Sequence, residues 1–181
     1  MDAPKPPQES ARLAALHEYR LLDTSPEAAF DDITQLVARL CDMPIALVSL
    51  VDTDRQWFKS RVGLESTQTA RETAFCAHTI LENIPLVVTD ATLDARFADN
   101  PLVTGDPGIR FYAGAPLVTP SGLALGTLCV IDVKPRELSA VQLDALQGLA
   151  QAVTALMELR RVSHDLAQSL AKVKVLEDLL P

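Results

Sequence analysis

Residues 71–80, RETAFCAHTI, set a cysteine and a histidine two positions apart in a chain of 181 residues with only three of each. Two chemistries use such a pair, metal ligation and nucleophilic attack. On an α-helix positions i and i+2 point about 200° apart, so Cys76 and His78 do not share one metal in mid-helix. No CxxC, HxxxH or HExxH spacing supplies further ligands, so no metal site is expected. If Thr73 caps a helix running to about Asn83, Cys76 falls in the first turn, where the helix dipole lowers a thiol pKa. The competing reading of Cys76 is a small buried apolar residue. His78 is open to three roles: a core histidine, a pocket residue, or a partner for Glu82 at i+4.

Trp57, Lys59 and Arg61 alternate along one strand, as do Arg110 and Tyr112 along another. Cations beside aromatic rings suit a pocket for an anionic or planar ligand, and they equally suit a strand edge blunted by charge. Asp52 and Asp54 read as turn formers, and Asp31 and Asp32 as charges serving a helix N-terminus. The chain has no GxSxG, P-loop or GxGxxG, GDPG at 105–108 is a loop, and nothing assembles a catalytic triad. No enzymatic activity is expected on these residues.

The elements that must position these groups follow from periodicity and punctuation. Three prolines in the first seven residues indicate an extended, mobile tail. ESARLAALHEY is a short helix with Leu13, Leu16 and Tyr19 on one stripe. A second helix is expected from Ser25 as N-cap and Pro26 at its first position, with Phe30, Ile33, Leu36, Val37 and Leu40 facing the core and Pro44 beyond its end. IALVSLV, apolar on both faces, is a central strand, and QWFKSRVG is its hairpin partner at an edge. A short strand PLVVTD and an irregular loop rich in Asp, Pro and Gly precede a second hairpin, IRFYAGAPLVT and LALGTLCVID. From Ser139 the chain reads as helix almost to its end. Leu143, Leu146, Leu149, Val153 and Leu156 face the core. Leu159, Val162, Leu166, Ser169, Val173, Leu176 and Leu180 then form a short heptad seam that points to dimerisation. Five strands joined mainly as hairpins between helices make an α+β domain with an antiparallel sheet. Terminal helices are expected on one face, with the 71–83 helix and the long loop on the other.

Composition limits the function. Hydrophobic residues are 48% and charged residues 22%, the balance of a globular protein of one domain. A net charge of −8, with no basic run longer than Arg160–Arg161, argues against nucleic acid as a partner. No signal peptide and no membrane-spanning run are read, and three widely spaced cysteines suggest a reducing cytoplasm.

Taken in order, LLDTSPEAAFDDITQLVARLCDMPIALVSLVDTDRQWFKSRVGL, FCAHTIL, LVVTDATLDARFADNPLV and IRFYAGAPLVTPSGLALGTLCVID resemble a bacterial GAF domain. The particular likeness is to the sensory subgroup found ahead of histidine kinases and diguanylate cyclases. It covers roughly residues 20–160, leaving 1–20 as tail and short helix and 161–181 as a coiled-coil-like signalling helix. The resemblance implies a five- or six-stranded antiparallel sheet and a small-molecule pocket between the sheet, the helix near Cys76 and the loop around Phe97. It implies pocket candidates Trp57, Lys59, Arg71, Cys76, His78, Arg110 and Tyr112. It further implies a homodimer acting on a kinase or cyclase output, in the same chain or in trans. It names no cofactor or ligand, because members of the family bind cyclic nucleotides, bilins, haem, small acids or nothing known.

Three sub-readings meet specific residues. Cyclic-nucleotide members carry N-K…F-x-x-x-D-E after the last strand; here Asp132, Leu138 and Gln142–Leu143 stand in those places. Bilin-binding members attach pigment through a Cys followed directly by His, and here Ala77 intervenes. Free methionine sulfoxide reductases carry a cysteine where Cys76 stands, but their other two correspond to Ser66 and a point near Thr89. A sensor is therefore expected, with a reductase using Cys76 and a ligand-free dimerisation module as the alternatives.

Overall fold

The computed structural model of the protein describes residues 5–178. Helix α1 (Glu9–Glu18) and helix α2 (Ala28–Cys41) precede strands β1 (Ile45–Val51), β2 (Arg55–Val62) and β3 (Gln68–Ala70). A 3-10 turn at Arg71–Thr73 leads into α3 (Phe75–Thr79), then β4 (Leu86–Val88) and α4 (Pro101–Thr104). The hairpin of β5 (Phe111–Val118) and β6 (Ala124–Asp132) leads to the long helix α5 (Ala140–Asp178). The six strands lie in the order β3-β2-β1-β6-β5-β4, and every neighbouring pair is antiparallel. The fold is thus the α+β antiparallel sheet expected. The sixth strand, β3, is three polar or small residues long and carries no periodicity that a sequence could reveal.

The sheet separates two cores. Alternate residues Ala46, Val48 and Leu50 of β1 meet Phe30 and Val37 of α2 and Leu146, Ala150, Val153 and Met157 of α5. The intervening Leu47 and Val51 meet Phe75, Cys76 and Ile80 around α3, with Phe97 and Val103 from the following loop. Strand β1 is buried along its whole length because both faces are covered. Gly126 allows β6 to lie this close to β1, since a Cβ there would come 1.9 Å from the Ser49 carbonyl oxygen.

Several expected details shift. Helix α2 starts at Ala28 with Glu27 at its N-cap, two residues later than Ser25 implied. Lys59 accounts for this, because its ammonium holds Thr24 Oγ1, the Ser25 carbonyl and the side chain of Glu27, whose own backbone is extended. Leu36 and Leu40 are nearly half exposed, and Thr34, Ala38 and Cys41 fill the core in their place. On α5 the buried stripe is Leu146, Ala150, Val153 and Met157, an i, i+4, i+7, i+11 row that includes a small residue and a methionine. The expected helix over 71–83 is instead a 3-10 turn followed by the five residues of α3, because Ala74 is extended between them.

Beyond the domain body, α5 continues with Leu159, Val162, Leu166 and Val173 between 50% and 66% exposed. Of the remaining apolar seam positions, Leu180 lies outside the described residues and Leu176 outside those with described side chains. Among the described residues no helix is long and apolar enough to cross a membrane.

Candidate functional site

Helix α3 and the loop over residues 89–110 lie on the sheet face opposite α2 and α5, and this face gathers the suspected chemistry. Phe75, the first residue of α3, stacks on Phe97 of the loop with ring centroids 4.0 Å apart. Tyr112 of β5 lies below at 5.2 Å from Phe75. Its hydroxyl fits because residue 114 is glycine, where a Cβ would come 2.1 Å from that oxygen. From there the Tyr112 hydroxyl reaches Thr79 at 2.8 Å and donates to the Cys76 sulfur at 3.4 Å. Thr127 of β6 donates to the same sulfur at 3.0 Å, and the Cys129 sulfur lies 3.9 Å away. Three aromatic rings and a buried polar cluster therefore fill the space under α3.

His78 turns outward from the same helix. Its ring meets the edge of Phe97 at 4.8 Å, and partial burial together with the Arg96 guanidinium lowers its pKa below the usual imidazole range. With Glu72, Arg96 and Asn100 it lines a cleft of about 270 Å³. Asn100 fixes the rim: its amide donates to the Thr73 carbonyl at 3.0 Å, and its side-chain oxygen accepts from Leu102 N–H to cap α4. Arg96 is paired with Asp94 at 2.6 Å, and this pairing holds the Asp94 carboxyl below its ordinary range. The cleft is smaller than a drug-sized ligand pocket, which typically starts near ~300 Å³.

A larger cleft of about 540 Å³ lies on the opposite face between α5 and the β5–β6 hairpin, lined by Pro116, Thr119, Gln147, Gln151 and Thr154 among others. Its one charged group, Glu158, is already engaged by the Tyr19 hydroxyl. The smaller cleft has the more convergent chemistry, a histidine, an arginine and an amide.

The seven pocket candidates from the sequence do not form one site. Cys76, His78 and Tyr112 come together under and beside α3. Trp57 belongs to the helix-side core, and Lys59 is buried on that same face against Thr24, Ser25 and Glu27. A bulge explains why the expected strand face breaks up. Val48 pairs with Ser60 and Ser49 with Phe58, so Lys59 is the extra residue and Ser60 also turns to the helix face, donating to Asp31 at 2.6 Å. Arg61 thereby moves to the face away from Trp57 and Lys59. Arg71 is buried at the far end of the sheet, joined to Glu9 of α1 and to the Asp52 carbonyl. Arg110 donates to the Val103, Gly108 and Ile109 carbonyls and braces the loop from within. Arg96, Asn100, Thr127 and Cys129 were not singled out by sequence. Nothing in local spacing links them to α3.

Known proteins match this chain in sequence and in shape. A stretch of 133 residues is 48% identical to a cyclic di-GMP phosphodiesterase of Pseudomonas aeruginosa, covering 74% of this chain and 23% of that protein. The chain therefore spans about a quarter of that relative's length. In structure it is similar to the GAF domain of an Acinetobacter phosphoenolpyruvate-protein phosphotransferase, with TM-score 0.63 and 15% identity over 86% of this chain and 96% of that one. It is also similar to the blue-light absorbing form of the PixJ GAF domain of Thermosynechococcus elongatus, with TM-score 0.58 and 17% identity over 90% of this chain and 96% of the other. The GAF domain profile matches residues 25–157, nearly the whole two-sided sheet and its covering helices, and the chain belongs to the GAF domain family.

Proposed function

We propose that the protein is a cytoplasmic sensory domain whose cleft beside α3 responds to a small molecule and whose α5 carries that response, as a homodimer, to a signalling output. The observation that supports this most directly is α5 itself. It leaves the domain body with Leu159, Val162, Leu166 and Val173 exposed at heptad spacing, a surface that wants a partner helix. The likeness to a cyclic di-GMP phosphodiesterase favours an output that turns over that class of second messenger, in the same chain or in trans. Three free, buried cysteines suit a reducing compartment.

A physical link between sheet and output helix is present at Glu27. Its Oε1 accepts from Lys59 of β2 at 2.7 Å and from Arg160 of α5 at 2.9 Å. Both cations lower the Glu27 carboxyl against the opposing effect of burial. On this reading Glu27 is the charged joint through which a shift of the sheet would reach α5.

The Phe75–Phe97 stack supports a second reading, a dimerisation module whose pocket is filled by its own side chains. A reductase using Cys76 is disfavoured, because Cys76 is 2% exposed on the inner side of α3 and a substrate of amino-acid size would have to displace that helix to reach it. Native mass spectrometry and an absorption spectrum of freshly purified protein, with a metabolite thermal-shift panel, separate the readings. A co-purified or stabilising small molecule supports sensing. A clean apo dimer that no metabolite shifts supports the module.

A further inference from the structure

Cys76 on α3 and Cys129 in the middle of β6 are 53 positions apart in sequence, and their sulfurs lie 3.9 Å from each other. Cys41, the third cysteine, belongs to the helix-side core on the other face of the sheet. The pair is not an ordinary apolar packing contact. A neutral thiol is a weak acceptor, and burying hydroxyls beside it wastes their donors. Here Thr127 donates to the Cys76 sulfur at 3.0 Å and Tyr112 at 3.4 Å, and the Cys129 thiol stands on a third side. That donor set suits a thiolate. Burial raises the Cys76 thiol, yet the hydrogen bonds from Cys129, Thr127 and Tyr112 outweigh it and leave it below the ordinary thiol value. Cys129 is pushed well above its ordinary value by its hydrogen bond to Cys76 and by burial, so it keeps its proton. The two thiols are thus differentiated into an attacking and a resolving partner.

We propose that Cys76 and Cys129 form a reversible oxidation site, closing to an intramolecular disulfide in response to a small hydroperoxide. The Cys76 thiolate attacks the terminal peroxide oxygen, the O–O bond breaks, and the other oxygen leaves as hydroxide or alkoxide and takes up a proton as water or alcohol, giving a sulfenic acid on Cys76. The Cys129 sulfur then attacks the Cys76 sulfur, the S–S bond forms, and the sulfenic hydroxide leaves with the Cys129 proton as water. Two electrons pass from the thiols to the peroxide. A dithiol reductant returns them by exchange.

Closing the bond requires the sulfurs to approach from 3.9 Å to about 2 Å. Thr127 and Tyr112 lose their thiolate acceptor in the same step. Helix α3 has only five residues, so it is the element that gives, carrying Phe75 and His78 with it. Both sulfurs are buried, so the oxidant reaches them through local opening of α3 and the reaction is slow.

Two treatments of the native protein test this: equilibration over a range of oxidised-to-reduced dithiothreitol ratios, and timed exposure to hydrogen peroxide. Each is followed by acid quench, alkylation in denaturant and peptide mapping. The expected result is loss of two of the three alkylatable thiols, a cross-linked peptide joining residues 76 and 129, and full recovery with excess dithiol. Cys41→Ala retains the cross-link, and Cys129→Ser leaves Cys76 to accumulate as sulfinic acid under peroxide. Three alkylatable thiols at every ratio, a cross-link involving Cys41, or over-oxidation of wild-type Cys76 without a cross-link overturns the proposal. Circular dichroism checks the folding of each variant, and the wild-type peptide map decides by itself if a variant fails to fold.

Discussion

Phe75 and Phe97 stack with ring planes 9° from parallel, one ring from the start of α3 and the other from the loop that faces it. The two rings fill the space between α3 and the loop, next to the cleft that His78 lines. Phe97 is fully buried. Phe97→Ala is expected to cost about 3–5 kcal/mol of stability and to open an apolar cavity that admits a small aromatic such as indole. Denaturant unfolding with and without indole checks this. A cost under about 1 kcal/mol shows that the ring is not the plug.

Lys59 behaves as a structural cation in this fold. Its three ammonium protons meet Thr24 Oγ1, the Ser25 carbonyl and Glu27 at 2.7–2.8 Å. Lys59→Met is expected to lose about 2–4 kcal/mol, because Thr24 Oγ1 and the Ser25 carbonyl lose their ammonium donor and Glu27 is left with Arg160 alone. Affinity at the α3 cleft should stay unchanged. A variant of unaltered stability and lost ligand affinity would return Lys59 to the pocket.

Glu9 joins α1 to Arg71 beside the sheet and, at 2.8 and 3.0 Å, holds Arg12 of its own helix, whose guanidinium donates to the Val51 carbonyl of β1 at 2.7 Å. Burial raises its carboxyl, but the hydrogen bonds and charges of the two arginines prevail and lower it from 4.5 to about 2. The folded value lies below the unfolded one, so this stabilisation is present above about pH 4.5 and is lost as pH falls toward about 2. At about 1.4 kcal/mol per pH unit the contribution is capped near 3 kcal/mol. Glu9→Gln should flatten stability against pH in that window, measured by urea midpoints between pH 2.5 and 6. A wild-type slope retained in the variant assigns the acid sensitivity elsewhere.

Leu166 lies 59% exposed on α5, between Val162 and Val173. Leu166→Asp is expected to weaken self-association roughly 10- to 100-fold while leaving the melting temperature of the domain body in place. Light scattering coupled to size exclusion reads the mass. A wild-type monomer at micromolar concentration sinks the dimer itself.

Much of the architecture was legible before any coordinates. IALVSLV has no polar side, so it had to lie between two layers, whereas the pairing of the later hairpin with it, β6 against β1, came only from the tertiary structure. The candidate site was legible at α3, where Cys76 and His78 stood close in sequence, and at Tyr112 on β5. The other half of it, Arg96, Asn100, Thr127 and Cys129, comes from a loop and a strand that local pattern does not join to α3. Trp57 and Lys59 were misplaced for a different reason. Two-residue periodicity gives which residues share a face, and it cannot say which face meets which helix.

Sequence by itself determined five of the six strands, the two N-terminal helices, the long helix at the end and the family likeness, because these depend on local propensity and on the period of apolar residues. Tertiary structure alone decided that Cys76 has a thiol partner, that Lys59 lies on the helix side and that aromatic rings fill the space under α3. Those facts rest on a one-residue bulge at Lys59, on the space left by Gly114 and on a contact spanning 53 positions, and each is set by how the elements close on one another.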